Sequence, residues 1–221
     1  MTFITELENT FAANSNAENA LPMAKYMKDL FPFFGIKTDE RRALFKSVCK
    51  KHLVEINSNA RTIAWELFTK KERELQYCGI EILIKSLKNN YVIEDIVWIE
   101  KLLITNSWWD SVDTISKYIL GDYLQQFPSE IDTVVKRFSD AEKMWLNRSV
   151  ILFQLGYKSK TDFSLLQHLC LKHSHSNAFF IRKAIGWALR EYAKTDPEAV
   201  REFVLQSNLK PLSKKEALKN I

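Results

Sequence analysis

FFIRKAIGWALREYAKTDPEAVREFVLQ, residues 179–206, reads as a helix, a stop and a second helix. The stop is at Asp196 and Pro197. An aspartate oxygen can accept from the unpaired N–H groups of a helix's first turn, and proline suits the first helical position, where no N–H is needed. The stretch is therefore a helical hairpin. A second stretch, TKKERELQYCGIEILIKSL at 69–87, places apolar residues at Leu75, Cys78, Ile82, Leu83 and Leu87, with Lys and Glu between them. That is the 3.6-residue pattern of an amphipathic helix.

Composition extends this reading to the whole chain. Five glycines and five prolines in 221 residues are few, which favours helices joined by short turns and predicts an all-α protein. The segment to about Leu30 reads as one or two further helices, with a turn at Pro32 to Gly35 and a helix start near Thr38. No run approaches eighteen apolar residues, and MTFITELENTF lacks a basic segment followed by an apolar one. Neither export nor membrane insertion is expected, and a cytoplasmic location is. Cys49, Cys78 and Cys170 are odd in number, far apart and outside any CxxC pair, so reduced and mostly buried thiols are expected.

The hairpin recurs. DERRALFKSV (39–48), ELQYCGIEIL (74–83), WDSVDTISKY (109–118), WLNRSVILFQ (145–154) and FIRKAIGWAL (180–189) each read as the start of an inner helix. With Arg42, Tyr77, Val112, Arg148 and Lys183 as equivalent positions, the intervals are 35, 35, 36 and 35 residues. Two helices per unit at that period, without a TPR consensus, predict an α-solenoid of HEAT-like repeats. One repeat domain over 1–221 is expected, a monomer, with a concave binding face.

The net charge of +5 is unevenly placed. Residues 1–110 carry 15 basic and 15 acidic residues, while 111–221 carry 17 and 12. A basic second half fits a surface that meets a polyanion, and equally a solvated lysine-rich surface.

The repeat works as a ruler for SWWDSVD at 107–113. Trp109 and Asp113, four residues apart, share a helix face. Arg148 stands at the equivalent position of the next unit, and Trp187 lies one turn past the equivalent Lys183. Three neighbouring units then direct a carboxylate, a guanidinium and an indole to one place. Taken singly, such residues are more often core tryptophans or a plain salt bridge. Together, π faces and a carboxylate stabilise positive charge, and an arginine can hold phosphate. A sugar acquiring oxocarbenium character within a nucleic-acid backbone meets that description.

These residues carry a resemblance. PMAKYMKDLFPFFGIKTDERR, SWWDSVD, LNRSVILFQLGYK, FFIRKAIGWALREYAKTDP and LKPLSKKEAL, spread from 22 to 218, resemble the AlkD-type family of DNA alkylation repair glycosylases. The resemblance implies removal of cationic N3- and N7-alkylated purines from duplex DNA, without metal and without inserting the lesion into a base pocket. It implies that Trp109 and Trp187 pack on the lesion's deoxyribose and backbone. Asp113 would stabilise the oxocarbenium ion and position water, Arg148 would contact phosphate, and Tyr26 would lie near the lesion. Lys28, Lys183, Arg190 and the SKKEALK tail would be backbone contacts, by weaker analogy and by charge.

An open face without a base pocket agrees with this, since most enzymes acting on bases must extrude them. Phosphate and sugar contacts carry no sequence information, so little sequence preference is expected. His168, His173 and His175 match no standard zinc spacing and read as an exposed helix end. Asp110 points about 100° away from Trp109 around the helix and is expected to cap or to pair with a basic residue. No GxGxxG, Walker A or nucleophile motif occurs, so no cofactor is expected. The rival reading is a HEAT-like scaffold that binds protein, or DNA without chemistry.

Overall fold

The computed structural model describes residues 1–219, and all regular structure among them is helical. Two compact units divide the chain, Met1–Asn90 and Tyr91–Ile221.

In the first unit, α1 (Phe3–Ala13) is capped by the Thr2 hydroxyl and buries Phe3, Leu7 and Phe11, one stripe at four-residue spacing. α2 (Ala17–Tyr26) is capped by Asn16 and ends where Lys28 and Asp29 turn left-handed, at φ 60° and 57°. α3 (Thr38–Lys51) begins where the sequence predicts. α4 (Leu53–Phe68) is kinked at Asn59, and α5 (Arg73–Leu87) packs along it. The close approach occurs at Gly79, where a Cβ would lie 2.6 Å from the Ala64 carbonyl oxygen.

The turn before α3 is built around one buried carboxylate. Glu74, fully buried in α5, accepts the N–H groups of Phe34, Gly35 and Ile36 at 3.1, 2.9 and 3.2 Å. Gly35 has φ +86°, and a Cβ on it would stand 2.0 Å from the Asn16 carbonyl oxygen, so only glycine fits. Beside Glu74, the buried Arg73 places its guanidinium 3.9 Å from the centre of the Phe31 ring.

The second unit starts with α6 (Asp95–Ile104) and α7 (Trp109–Ile115). A five-residue π turn, Ser116–Leu120, joins α7 to α8 (Gly121–Gln126) without a break. There follow α9 (Ile131–Ser139), α10 (Met144–Leu152), α11 (Phe163–Lys172), α12 (Phe179–Tyr192), α13 (Pro197–Gln206) and α14 (Pro211–Ala217). Asp196 caps α13 as expected, accepting from the Ala199 N–H at 3.0 Å. The core of α10 to α14 includes Ile151, Leu152, Leu166, Ile185, Leu189 and Val204.

Every marker of the repeat falls in its own helix. Arg42, Tyr77, Arg148 and Lys183 each occupy the fifth position of α3, α5, α10 and α12, and Val112 the fourth of α7. The 36-residue interval between Val112 and Arg148 is the one that contains the π turn. A turn widened to i→i+5 absorbs one additional residue while keeping the backbone bonded, and the Ser116 hydroxyl reinforces it by donating to the Val112 carbonyl at 2.6 Å.

No helix among the described residues is long and apolar enough to cross a membrane. Cys78 and Cys170 are buried and Cys49 half-buried, all three as free thiols. Burial pushes the thiols up, Cys49 to about 11 and Cys78 to about 12.

Candidate active site

The residues around SWWDSVD are set by local hydrogen bonds. Ser107 donates to the Leu103 carbonyl at 2.6 Å, and Ser111 donates to the Trp108 carbonyl at 3.2 Å. Trp108 is extended, at φ −150° and ψ 165°, and α7 starts one residue later. Ser111, Val112 and Ile115 face the core, which leaves Trp109, half-buried, and Asp113, largely buried, on another side of the helix.

α10 packs against both α7 and α12. From it, Arg148 reaches Asp113 with its guanidinium fork: Nε donates to Oδ1 at 2.6 Å and Nη2 to Oδ2 at 2.8 Å. Nη1 donates to the Phe180 carbonyl at the start of α12. One guanidinium thereby joins three helices. The pair is withdrawn from water, the Arg148 side chain being 5% and the Asp113 side chain 11% exposed.

Burial raises the Asp113 carboxyl above the ordinary aspartate value; the hydrogen bonds and charge of Arg148 work against this, and the nearby charge of Asp110 adds to it. Besides that electrostatic part, the Asp110 carbonyl accepts from the Thr114 hydroxyl at 2.9 Å.

An aromatic cluster adjoins the arginine through Phe180. Trp108, Trp145 and Phe180 form a mutual cluster with centroids 5.8, 5.0 and 5.2 Å apart, and the Arg148 guanidinium carbon lies 5.9 Å from the centre of Phe180. Sequence reasoning missed this cluster. A partial signal was present: Trp145 and Phe180 both stand three residues before the repeat marker, while Trp108 stands four before it.

Trp187, Lys183 and Arg190 share one face of α12 at i, i+4 and i+7 spacing. Trp187 is half-buried against the core of α10 to α14, about 10 Å along the axis from Phe180 at 1.5 Å per residue. Lys183 and Arg190 each bond Glu216 of α14, a partner absent from the sequence reading. Structure thus joins Asp113 directly to Arg148, where sequence reasoning had aimed the arginine at phosphate.

Tyr26 and Lys28 belong to the other unit. Tyr26 closes α2 at 68% exposure, and Lys28 is exposed in the left-handed turn that follows. Lys214 and Lys215 of the basic tail lie in the last turn of α14.

The histidine-rich segment is not an exposed end throughout. His168 and His175 are exposed, but His173 turns inward and its Nε2 meets the Ser139 hydroxyl at 2.7 Å. Among the described residues no group of three or more His, Cys, Asp or Glu is placed to hold a metal ion.

Residues 7–221 match the family model of DNA alkylation repair enzymes. The chain belongs to this family. A solved structure described as a predicted DNA alkylation repair enzyme from Enterococcus faecalis is similar at a TM-score of 0.85 and 33% identity, over 94% of this chain and 96% of that one. No curated protein matches the chain. Family membership assigns the protein a role in DNA alkylation repair, and the all-helical repeat architecture agrees with that of the structural neighbour.

Proposed function

We propose that this DNA alkylation repair protein is a glycosylase that hydrolyses the N-glycosidic bond of cationic N3- and N7-alkylated purines in duplex DNA. The observation that carries the reading is the Asp113 carboxylate, largely buried, held at both oxygens by Arg148 and one helical turn from Trp109.

An alkylated purine already bears positive charge, so the C1′–N9 bond breaks with its electron pair leaving on the base, which departs neutral. Positive charge then moves to the deoxyribose. Asp113, fixed by the arginine fork, meets that charge with its carboxylate, and the faces of Trp109 and Trp187 add cation–π attraction. Water attacks C1′ and loses a proton, completing an abasic site. A carboxylate with both oxygens already oriented does not reorganise as the charge develops, which is the larger part of such stabilisation.

Arg148 acts in this reading first on Asp113. Two of its five N–H groups remain for a phosphate, since Nε and Nη2 serve the carboxylate and Nη1 serves the Phe180 carbonyl. Lys183, Arg190 and Lys28 are the backbone contacts of this reading, and Tyr26 is its contact near the lesion. Such contacts release counterions, so binding weakens as salt rises and sequence matters little. The base needs no pocket because the sugar, not the base edge, is what the site grips.

Release of free 7-methylguanine from methylated duplex DNA tests this, with Asp113→Asn in parallel. The reading expects release by wild type and a loss on the order of a hundredfold or more in the variant, about the cost of removing one electrostatic stabiliser. Equal release by both proteins would move the chemistry off Asp113. Release no faster than the spontaneous rate would instead favour a DNA-binding relative without chemistry.

A further inference from the structure

Lys183, Trp187 and Arg190 form one stripe along α12, and a single carboxylate from α14 spans it. Glu216 Oε1 lies 2.9 Å from Lys183 Nζ, and Glu216 Oε2 lies 2.9 Å from Arg190 Nη1. The two cations are seven residues apart, so they flank Trp187 from either end, and both oxygens of the carboxylate are in use. Glu216 is 16% exposed, against 37% for Lys183 and 25% for Arg190.

The bridge has a built seat. A Cβ at Gly186 would stand 2.4 Å from the Glu216 Cβ and 2.8 Å from the Ser213 carbonyl oxygen, so glycine permits α14 to lie directly on α12. Ser213 is buried and donates to the Arg182 carbonyl at 2.9 Å, which fixes the turn before Glu216. Both cations also hold Glu216 below the usual carboxylate value, the Lys183 hydrogen bond most of all, so it stays charged at neutral pH.

We propose that Glu216 restrains the DNA affinity of the α12 face by competing with phosphate for Lys183 and Arg190. This rests on the reading of those two cations as backbone contacts. With the carboxylate in place the stripe presents a net charge of +1 in place of +2. A phosphate that takes both cations must leave a largely buried carboxylate with weakened partners, a cost borne by any duplex. Undamaged DNA offers only phosphates to meet that cost. A cationic lesion adds its attraction to Trp187 and Asp113; the cost divides both affinities by the same factor, so at a fixed protein concentration it empties the weaker, undamaged duplex first.

The experiment measures binding to an undamaged labelled duplex by fluorescence anisotropy across a salt series. It compares wild type, Glu216→Gln, the double variant Lys183→Ala with Arg190→Ala, and the triple variant. Glu216→Gln keeps the volume of the side chain, and a thermal melt checks that α14 stays docked.

The expected result is binding about threefold to tenfold tighter in Glu216→Gln at moderate salt, with a log–log salt slope steeper by roughly 1 to 2, one counterion step per freed cation. That gain should vanish in the triple variant. Unchanged or weaker binding by a folded Glu216→Gln, while the double variant binds less tightly than wild type, would overturn the restraint and leave the backbone-contact reading intact. If the double variant binds as wild type does, the two cations do not touch DNA, and the inference falls together with the reading beneath it.

Discussion

Arg148 and Asp113, 35 residues apart in sequence, meet through two parallel hydrogen bonds of 2.6 and 2.8 Å, while the third nitrogen of the same guanidinium ties to the Phe180 carbonyl. The arginine is therefore both a structural joint of α7, α10 and α12 and the group that aims the carboxylate.

Arg148→Ala should cost about 3 kcal/mol or more of folding stability, because it leaves a largely buried carboxylate and a backbone carbonyl without their donor. Arg148→Lys keeps the charge but not the fork, and should recover less than half of that loss. Guanidinium unfolding of the three proteins checks this. A loss below about 1 kcal/mol in the alanine variant would mean that the pair is merely a surface-like contact.

Glycosylase activity should fall in acid at a pH above that of an ordinary aspartate. Burial raises the Asp113 carboxyl from its usual 3.8, against the pull of Arg148, and the proposed chemistry uses the ionised form. For stability the sign is opposite: a raised carboxyl contributes fully below its ordinary value, and the contribution is lost as pH rises through the folded value. Base release corrected for the spontaneous rate, measured across an acid pH series, reads the limb directly. An Asp113→Asn variant with the same limb would assign it to another group.

Glu74→Gln should destabilise the first unit by about 2 kcal/mol or more. The substitution turns one of two acceptor oxygens into a donor, facing the N–H groups of Phe34, Gly35 and Ile36 in a fully buried site. Denaturant unfolding followed by hydrogen exchange at those three amides tests it. Unchanged protection there would show that the turn stands without the carboxylate.

Two histidines should give the stability profile opposite slopes near neutrality. His52 lies between Glu6 at 2.7 Å and Glu55 at 3.0 Å, and these bonds raise it above the ordinary 6.5. Its contribution is complete below 6.5 and is lost as pH rises through the folded value. His173 is lowered by burial, so what it contributes beside Ser139 is present above 6.5 and is lost as pH falls through its folded value. Unfolding midpoints at about pH 6 and about pH 8.5 separate them. His52→Gln should lose more stability at the lower pH and His173→Gln more at the higher, and a reversal in either would disprove the assignment.

Much of the fold was legible because its causes are local or periodic. The Asp196 cap, the Pro197 start, the turn at Gly35 and the onset of α3 at Thr38 depend on a few adjacent residues. The repeat depends on a period, and its markers Arg42, Tyr77, Val112, Arg148 and Lys183 fall at the fourth or fifth position of α3, α5, α7, α10 and α12. Trp109 and Asp113 could be put on one face of α7 for the same reason, since a four-residue spacing in a helix settles it.

Partnership was decided only by tertiary structure. Nothing near Arg148 in sequence distinguishes a phosphate contact from a fork around Asp113, because the choice turns on how α10 approaches α7 and how much water that approach removes. The Trp108, Trp145 and Phe180 cluster, the inward turn of His173 onto Ser139 and the bridge from Glu216 to Lys183 and Arg190 join residues tens of positions apart. Side-chain spacing along a helix states which face a residue occupies. Which charge or ring meets it there follows from helix packing, a sum of many small contacts that no single stretch of this sequence encodes.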